Sequence, residues 1–267
     1  MENKVLEPFI NEQRIGNVHD AIIDWIKEFY ADKGDAKAIV GISGGKDSTV
    51  CAALLAEALG PDRVIGVMMP NGEQKDIADS KKVCETLKIN SLEVNIGAAY
   101  NDLSDEISEQ VNVYELPKLY TTNTPARIRM VTLYGVAAIY GGLVVNTCNL
   151  SEDFVGYATK YGDAAGDFSL LNRLTKTEVV ALGDYMKLPK ELIHKTPSDG
   201  MCGKSDEDNM GFTYDALDEY ILTGIPPKSE EVFNKINKMH KNPNTRLKMI
   251  DMPAALGDSL PDAFSRP

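Results

Sequence analysis

The stretch Gly41-Ile42-Ser43-Gly44-Gly45-Lys46-Asp47-Ser48 lies between two segments of opposite character. Before it, Ala38-Ile39-Val40-Gly41-Ile42 is short, apolar and β-branched, which reads as a buried strand. After it, Ser48 to Leu59 places apolar residues at helical spacing. Strand, glycine turn and helix open a βαβ unit, and the rest of the chain continues that rhythm. Val64 to Met69 reads as a second strand, Asp76 to Leu87 as a helix, and Ser91 to Ile96 as a third strand. A helix from Thr124 to Tyr140 precedes a fourth strand, Leu143 to Thr147. Strands alternating with helices imply an α/β fold, a doubly wound parallel sheet with helices on both faces. Ligands bind such sheets beyond the carboxyl ends of the strands, which directs attention to loops 43–48, 70–76 and 147–168. At the N-terminus, residues 1–17 read as an arm ahead of a helix 18–32, with Ala21, Ile22, Trp25, Ile26 and Phe29 on one face. Residues 175–241 read as three or four further helices and 242–267 as an irregular tail, all within a single domain, 1–267.

The loop at 41–48 admits three chemical readings. A P-loop needs a second glycine where Lys46 stands and fails there. A nucleophile elbow needs G-x-S-x-G between strand and helix, which Gly41 to Gly45 satisfy. A serine hydrolase would then use His194 or His240, but no glycine-rich oxyanion loop precedes Ser43. The third reading is a phosphate cradle. Two glycines let backbone N–H groups curl around phosphate oxygens, and the helix N-terminus adds its positive end. Ser43 and Ser48 can donate hydroxyl hydrogen bonds, and Asp47 can hold a Mg²⁺ bridging the phosphates. A plain helix cap is the bland alternative.

Composition narrows the function classes. The chain has 267 residues, a formal net charge of −12 and 25% charged residues. Nucleic-acid affinity rests on Lys and Arg displacing counterions, so this charge opposes a nucleic-acid partner. No apolar run reaches the roughly 18 residues of a membrane span, so no membrane partner is expected. The start, Met1-Glu2-Asn3-Lys4, has no basic and apolar signal pattern, which points to the cytoplasm. Cys51, Cys84, Cys148 and Cys202 form no paired motif, and the three histidines show no metal-ligand spacing. Cys51 and Cys84 lie inside apolar helical patterns and read as core.

Ser43 to Ser48 resembles the SGGxDS pyrophosphate loop of the ATP-pyrophosphatase superfamily, whose fold is adenine nucleotide alpha hydrolase-like. Downstream, Thr147-Cys148-Asn149-Leu150-Ser151-Glu152 and Gly156-Tyr157-Ala158-Thr159-Lys160-Tyr161-Gly162-Asp163, then Asp167, resemble a region of the NAD synthetases. The resemblance covers roughly residues 20–241, and the TKYGD stretch is specific to that family.

Carried onto this sequence, the resemblance implies ammonia-dependent amidation of deamido-NAD with ATP and Mg²⁺ as co-substrate and cofactor. AMP and pyrophosphate leave by way of an adenylated carboxylate. It implies that Gly41, Ile42, Ser43, Gly44, Gly45, Lys46, Asp47, Ser48, Gln74, Thr147, Lys176 and Ser198 bind ATP. Asp47 and Glu152 would ligate Mg²⁺. Asn123, Arg127, Arg129, Lys160, Asp167, His240 and Lys241 would bind deamido-NAD. Lys176 and Lys160 would stabilise departing pyrophosphate, and Asp163 would steer or deprotonate ammonium. Some relatives draw ammonia from glutamine in an attached domain. The synthetase resemblance takes up the chain, so free ammonia is expected. The family also implies a homodimer, and helix 124–140, apolar nearly all round, is expected to be buried on all sides. Its cover would be a second subunit or, alternatively, the helices of 175–241. Met68-Met69 stand where the family tends to place a basic residue, and Asn146 where a glycine is usual. Other SGGxDS enzymes, a GMP synthetase or a tRNA-modifying ATP pyrophosphatase, are the runners-up. The acidic charge opposes tRNA, and TKYGD opposes both.

Overall fold

Alternation decides how the central strand is used. In the computed structural model, which describes residues 5–74, 77–195 and 205–242, strand β1 (Lys37–Gly41) buries Ala38 and Val40 on one face of a sheet and Ile39 on the other. Ahead of it lie α1 (Glu7–Ile10) and α2 (Glu12–Tyr30). After it come α3 (Lys46–Leu59), β2 (Val64–Met68), α4 (Ile77–Leu87), β3 (Asn90–Glu93) and α5 (Gly97–Val111). The chain continues through α6 (Lys118–Tyr140), β4 (Gly142–Asn146), α7 (Leu150–Val155) and β5 (Phe168–Ser169). It ends in α8 (Lys176–Tyr185), α9 (Lys190–Ile193), α10 (Asp206–Met210), α11 (Tyr214–Thr223) and α12 (Glu230–His240).

All pairings are parallel, in the order β3-β2-β1-β4-β5. From β1 the chain winds one way through β2 and β3, then returns to add β4 and β5 on the other side. Between β1 and β4 the direction reverses, and there a crevice opens at the carboxyl ends of the strands. The loops after β1 and β4, carrying Ser43 and Thr147, therefore face one another. The doubly wound sheet expected from the sequence is the one observed.

Both faces are covered. On one, α2, α3 and α8 bury Ile22, Ile26, Leu54, Leu55 and Leu182 against Ala38, Val40 and Val145. Cys51 and Cys84 lie in this core, as their apolar setting indicated. On the other, Met130, Leu133, Val136 and Ala137 of α6 pack on Ile39, Ile65, Val67 and Val144. Each such large side chain contributes roughly 1.5–3 kcal/mol when fully buried.

Several expectations are corrected. Residues 5–17 are no arm. Asn11 caps α2 by accepting from the Arg14 amide, and Leu6 and Ile15 are buried. Helix α6 begins at Lys118, not Thr124, and carries Pro125 inside it. A proline there reads from sequence as the first residue of a helix, because its missing N–H is harmless at that position. Helix α5 is too polar to show a buried stripe, with only Gly97 and Ser104 buried. The two residues of β5 are too few to register as a strand. Five helices, not three or four, follow residue 175 among the described residues.

The expectation that 124–140 is buried all round is not met in the single chain. Val131 is 74% exposed and Ile139 81% exposed. The main neighbours of α6 are β1, β4 and α5, not the helices after 175. Ser198, Cys202 and 243–267 of the tail lie outside the described residues.

Candidate active site

The glycines of 41–48 do what the phosphate-cradle reading needs. Gly44 has φ +77°, a left-handed conformation, and a Cβ there would come 2.9 Å from Asp79 Cβ and 3.0 Å from the Ser80 amide nitrogen. Gly45 is the N-cap of α3 and offers no side-chain cap, so the first N–H groups of the helix face the loop. Ser43 and Ser48 hold the loop from within. Their hydroxyls are 3.2 Å apart, Gly45 N–H donates to Ser43 Oγ at 3.2 Å, and Ser48 Oγ donates to the Gly45 carbonyl at 3.1 Å.

This arrangement removes the hydrolase alternative. Ser43 has hydroxyl and amide neighbours and no histidine. His19 bonds Asp20 and Glu57, His194 bonds Asp184, and His240 bonds the Phe154 carbonyl.

Across the crevice, Asn149 and Glu152 form a capping box at the start of α7. Asn149 Nδ2 also donates to Asp47 Oδ1 at 2.9 Å, tying the two loops together. Lys176 opens α8, and its Nζ lies 2.8 Å from Asp47 Oδ2 and 2.9 Å from Glu152 Oε1. Burial works against the Lys176 charge, but Asp47 and Glu152 outweigh it and hold its pKa well above the usual lysine value. Burial, with Asp47 adding to it and Lys176 opposing, pushes the Glu152 carboxyl up to about 7. Lys46 is shifted the other way, lowered by burial and by Lys176. The Tyr214 ring centroid lies 4.9 Å from Lys176 Nζ.

Lys46, Asp47, Glu152 and Lys176 line a cavity of about 940 Å³. It brings together Gly41, Ile42, Ser43, Gly45, Lys46, Asp47, Gln74, Asn123, Arg129, Thr147, Glu152, Asp163 and Lys176. Gly44 and Ser48 shape the loop without lining the cavity. Asp163 accepts the Thr159 amide, and Thr159 Oγ1 donates to Asn123 Oδ1.

Arg127, Lys160, Asp167, His240 and Lys241 are not brought to this cavity. Arg127 Nε donates to the Lys160 carbonyl, and Lys160 Nζ lies over the Tyr161 ring. Asp167 Oδ2 accepts the Val144 amide at 2.7 Å and so completes the edge of β4. His240 stacks on Phe154 with ring centroids 4.0 Å apart.

The structure shows what stands at the two positions where the sequence was expected to depart from the family pattern. Arg129 Nε donates to the Met69 carbonyl at 3.0 Å, so α6 delivers a guanidinium to the strand end that lacks a basic residue of its own. Asn146 Nδ2 donates to the Asp163 and Ala165 carbonyls, and its Oδ1 accepts from the Cys148 amide. Its side chain thus pins the loop that carries Asp163.

Met69, Tyr157, Thr159, Asp206 and Asn209 also line the cavity and were not assigned roles from the sequence. The Asn149 spacing three residues before Glu152 was a usable capping signal. Nothing local marks Tyr214.

A parallel sheet with a glycine phosphate cradle, two facing carboxylates and a buried lysine defines an ATP-handling α/β enzyme. A family model described as NAD synthase matches residues 18–253. The NH(3)-dependent NAD(+) synthetase of Pyrococcus furiosus is 37% identical over 221 residues, 82% of this chain and 84% of that protein. That of Methanocaldococcus jannaschii is 37% identical over 250 residues, 88% of this chain and 91% of that protein. Among solved structures, the NMN synthetase of Francisella tularensis superposes with a TM-score of 0.78 at 30% identity, covering 87% of this chain and 95% of that one. The NH3-dependent NAD synthetase of Campylobacter jejuni gives 0.70 at 25% identity, covering 91% and 99%. The chain belongs to the NAD synthase family.

Proposed function

We propose that this protein converts deamido-NAD to NAD with ATP and ammonia, releasing AMP and pyrophosphate. The observation that carries the reading is the meeting of Asp47, Glu152 and Lys176 at the N-terminus of α3, beside a glycine loop. A carboxylate resists attack by ammonia until it carries a leaving group, and the cavity is suited to making one. The N–H groups of the loop and Ser43 cradle the phosphates, while Lys46 and Lys176 balance the charge of departing pyrophosphate.

Two carboxylates and bound phosphates are a fitting donor set for Mg²⁺, which favours oxygen ligands and keeps few from protein. Asp47 and Glu152 would hold it, and it would supply charge neutralisation at the phosphates. Lys176 pairs with the same two carboxylates. Asn123, Arg129 and Thr159 orient the nicotinate, and Asp163 beside them steers ammonium and receives its proton.

The protein acts as a homodimer in the cytoplasm, with neither nucleic acid nor membrane as partner. The exposed apolar residues of α6 support the second copy, and no helix among the described residues is long and apolar enough to cross a membrane. A dimer would also give Arg127, on the same helix as Val131, and Lys160 beside it a route to substrate across the interface.

A second acceptor, nicotinate mononucleotide, is favoured by the likeness to the Francisella tularensis NMN synthetase. One experiment covers both. Purified protein is supplied with ATP, Mg²⁺, ammonium and either acceptor, and NAD, NMN and AMP are measured. NAD and AMP in equal amounts are expected from deamido-NAD. NMN formed far faster than NAD would transfer the function to the mononucleotide, and AMP from neither acceptor would overturn the reading.

A further inference from the structure

Behind the site, α11 carries a carboxylate for which the reaction gives no direct use. Asp218 is fully buried, and its hydrogen-bond partners among the described residues are hydroxyl and amide groups, with no Lys or Arg. Its Oδ1 accepts from the Ser151 hydroxyl at 2.5 Å. Its Oδ2 accepts from the Thr177 amide at 2.8 Å and from the Thr177 hydroxyl at 2.7 Å. Ser151 Oγ in turn accepts from the Lys176 amide at 2.9 Å. A buried charge without a cation is costly, and packing alone does not call for one.

The bonds converge on the active groups. Ser151 immediately precedes Glu152, and Thr177 immediately follows Lys176. Tyr214 stands one turn before Asp218 on the same face of α11, and its ring lies against the Lys176 ammonium. One helix face therefore meets both ends of Lys176, the backbone through Asp218 and Ser151, the head through Tyr214. Lysine has a long stem with several free torsions, so an ammonium set between two carboxylates needs a fixed backbone.

We propose that Asp218 is a positioning residue for the adenylation step, holding the starts of α7 and α8 in register so that Glu152 and Lys176 meet ATP in one geometry. This rests on the function proposed above. A wild-type protein that forms no AMP would sink that function, whereas the comparisons below are made on active enzyme and test Asp218 alone.

Asp218→Asn keeps the shape but replaces one acceptor oxygen with a donor. Expected are a kcat lowered about 10–100-fold, the range typical when a group orienting a ligand is lost, and a KM for deamido-NAD within about twofold, since the acceptor end is untouched. Binding of Mg-ATP, measured by calorimetry, weakens in Asp218→Asn. It weakens by clearly less when Asp218→Asn is added to Lys176→Met, because the share of the effect that travels through that lysine is already lost. Should Asp218→Asn fold poorly, Thr177→Val removes one hydroxyl donor at constant shape, and a kcat decrease of about three- to tenfold is expected. A lowered melting temperature with wild-type kcat in these variants, or additive losses of ATP binding in the Lys176→Met background, would reduce Asp218 to a fold contact and overturn the proposal.

Discussion

The two faces of the sheet are finished to different degrees. Under α2, α3 and α8 the core is closed. Ile22, Ile26, Leu54, Leu55 and Leu182 are buried, and His19 of α2 reaches Glu57 of α3 at its rim. Under α6 the inner stripe is buried, but Val131, Ile139 and Tyr140 point outward into solvent. The closed face carries the phosphate loop at the start of α3, and the open face carries Arg129, Asn123 and the approach to Asp163. One chain thus buries the side of the site proposed for ATP, while the side proposed for the acceptor borders a surface with exposed apolar residues.

The largest effect is expected on the closed side. Asp47→Ala removes a carboxylate that meets Lys176 and Asn149, and NAD formation should fall at least about 1,000-fold, as when a main charge-stabilising group is lost. The melting temperature should fall only in part and the protein should stay folded, because Lys176 loses Asp47 but keeps Glu152 as a partner. Turnover within tenfold of wild type would break the assignment of that face to ATP.

The open side is tested by charge. Val131→Glu with Ile139→Glu should weaken self-association by at least about 30-fold if these residues anchor an interface. Sedimentation equilibrium of the wild type should show a dimer. An active species at the 29.2 kDa chain mass would leave the open face without its cover.

Ser43→Ala removes one donor among several, so kcat should drop only about tenfold, near the value of one hydrogen bond. A fluorophosphonate probe should not label the wild-type serine.

The smallest effect concerns the rim of the closed face. Burial lowers the His19 pKa, but Asp20 and Glu57 overcome it and leave the pKa raised. The folded state thus binds this proton more tightly. Its stabilising contribution is full below the unfolded histidine pKa of about 6.5 and is lost as pH rises through the folded value. The contribution is at most about 1 kcal/mol, because both carboxylate partners are exposed to solvent. His19→Gln should flatten the fall in melting temperature between pH 6 and 8. An unchanged pH profile would remove His19 from the contacts that close this face.

Legibility followed locality. The loop 41–48 was readable because one run of residues does the whole job, with glycines for the backbone and Asp47 at the first turn of the helix. Glu152 and Lys176 carried a motif but not a distance. Arg127 and Arg129 show the limit most plainly. Two positions on a helix point to nearly opposite sides, so the sequence supplies two arginines and only packing selects the one that enters the cavity. Asp167 was expected as a substrate ligand from its motif, and only the fold shows that its carboxylate accepts the Val144 amide at the edge of β4.

The sequence by itself determined the parallel α/β fold, the phosphate loop and the family, because periodicity and short motifs are properties of neighbouring residues. The tertiary structure decided the rest. It brought Asp47, Glu152 and Lys176 within hydrogen-bonding distance, placed Asp218 behind them, and left one side of α6 bare. Those outcomes depend on which strands lie side by side and which helix face meets the sheet, and no local pattern along the chain encodes that choice.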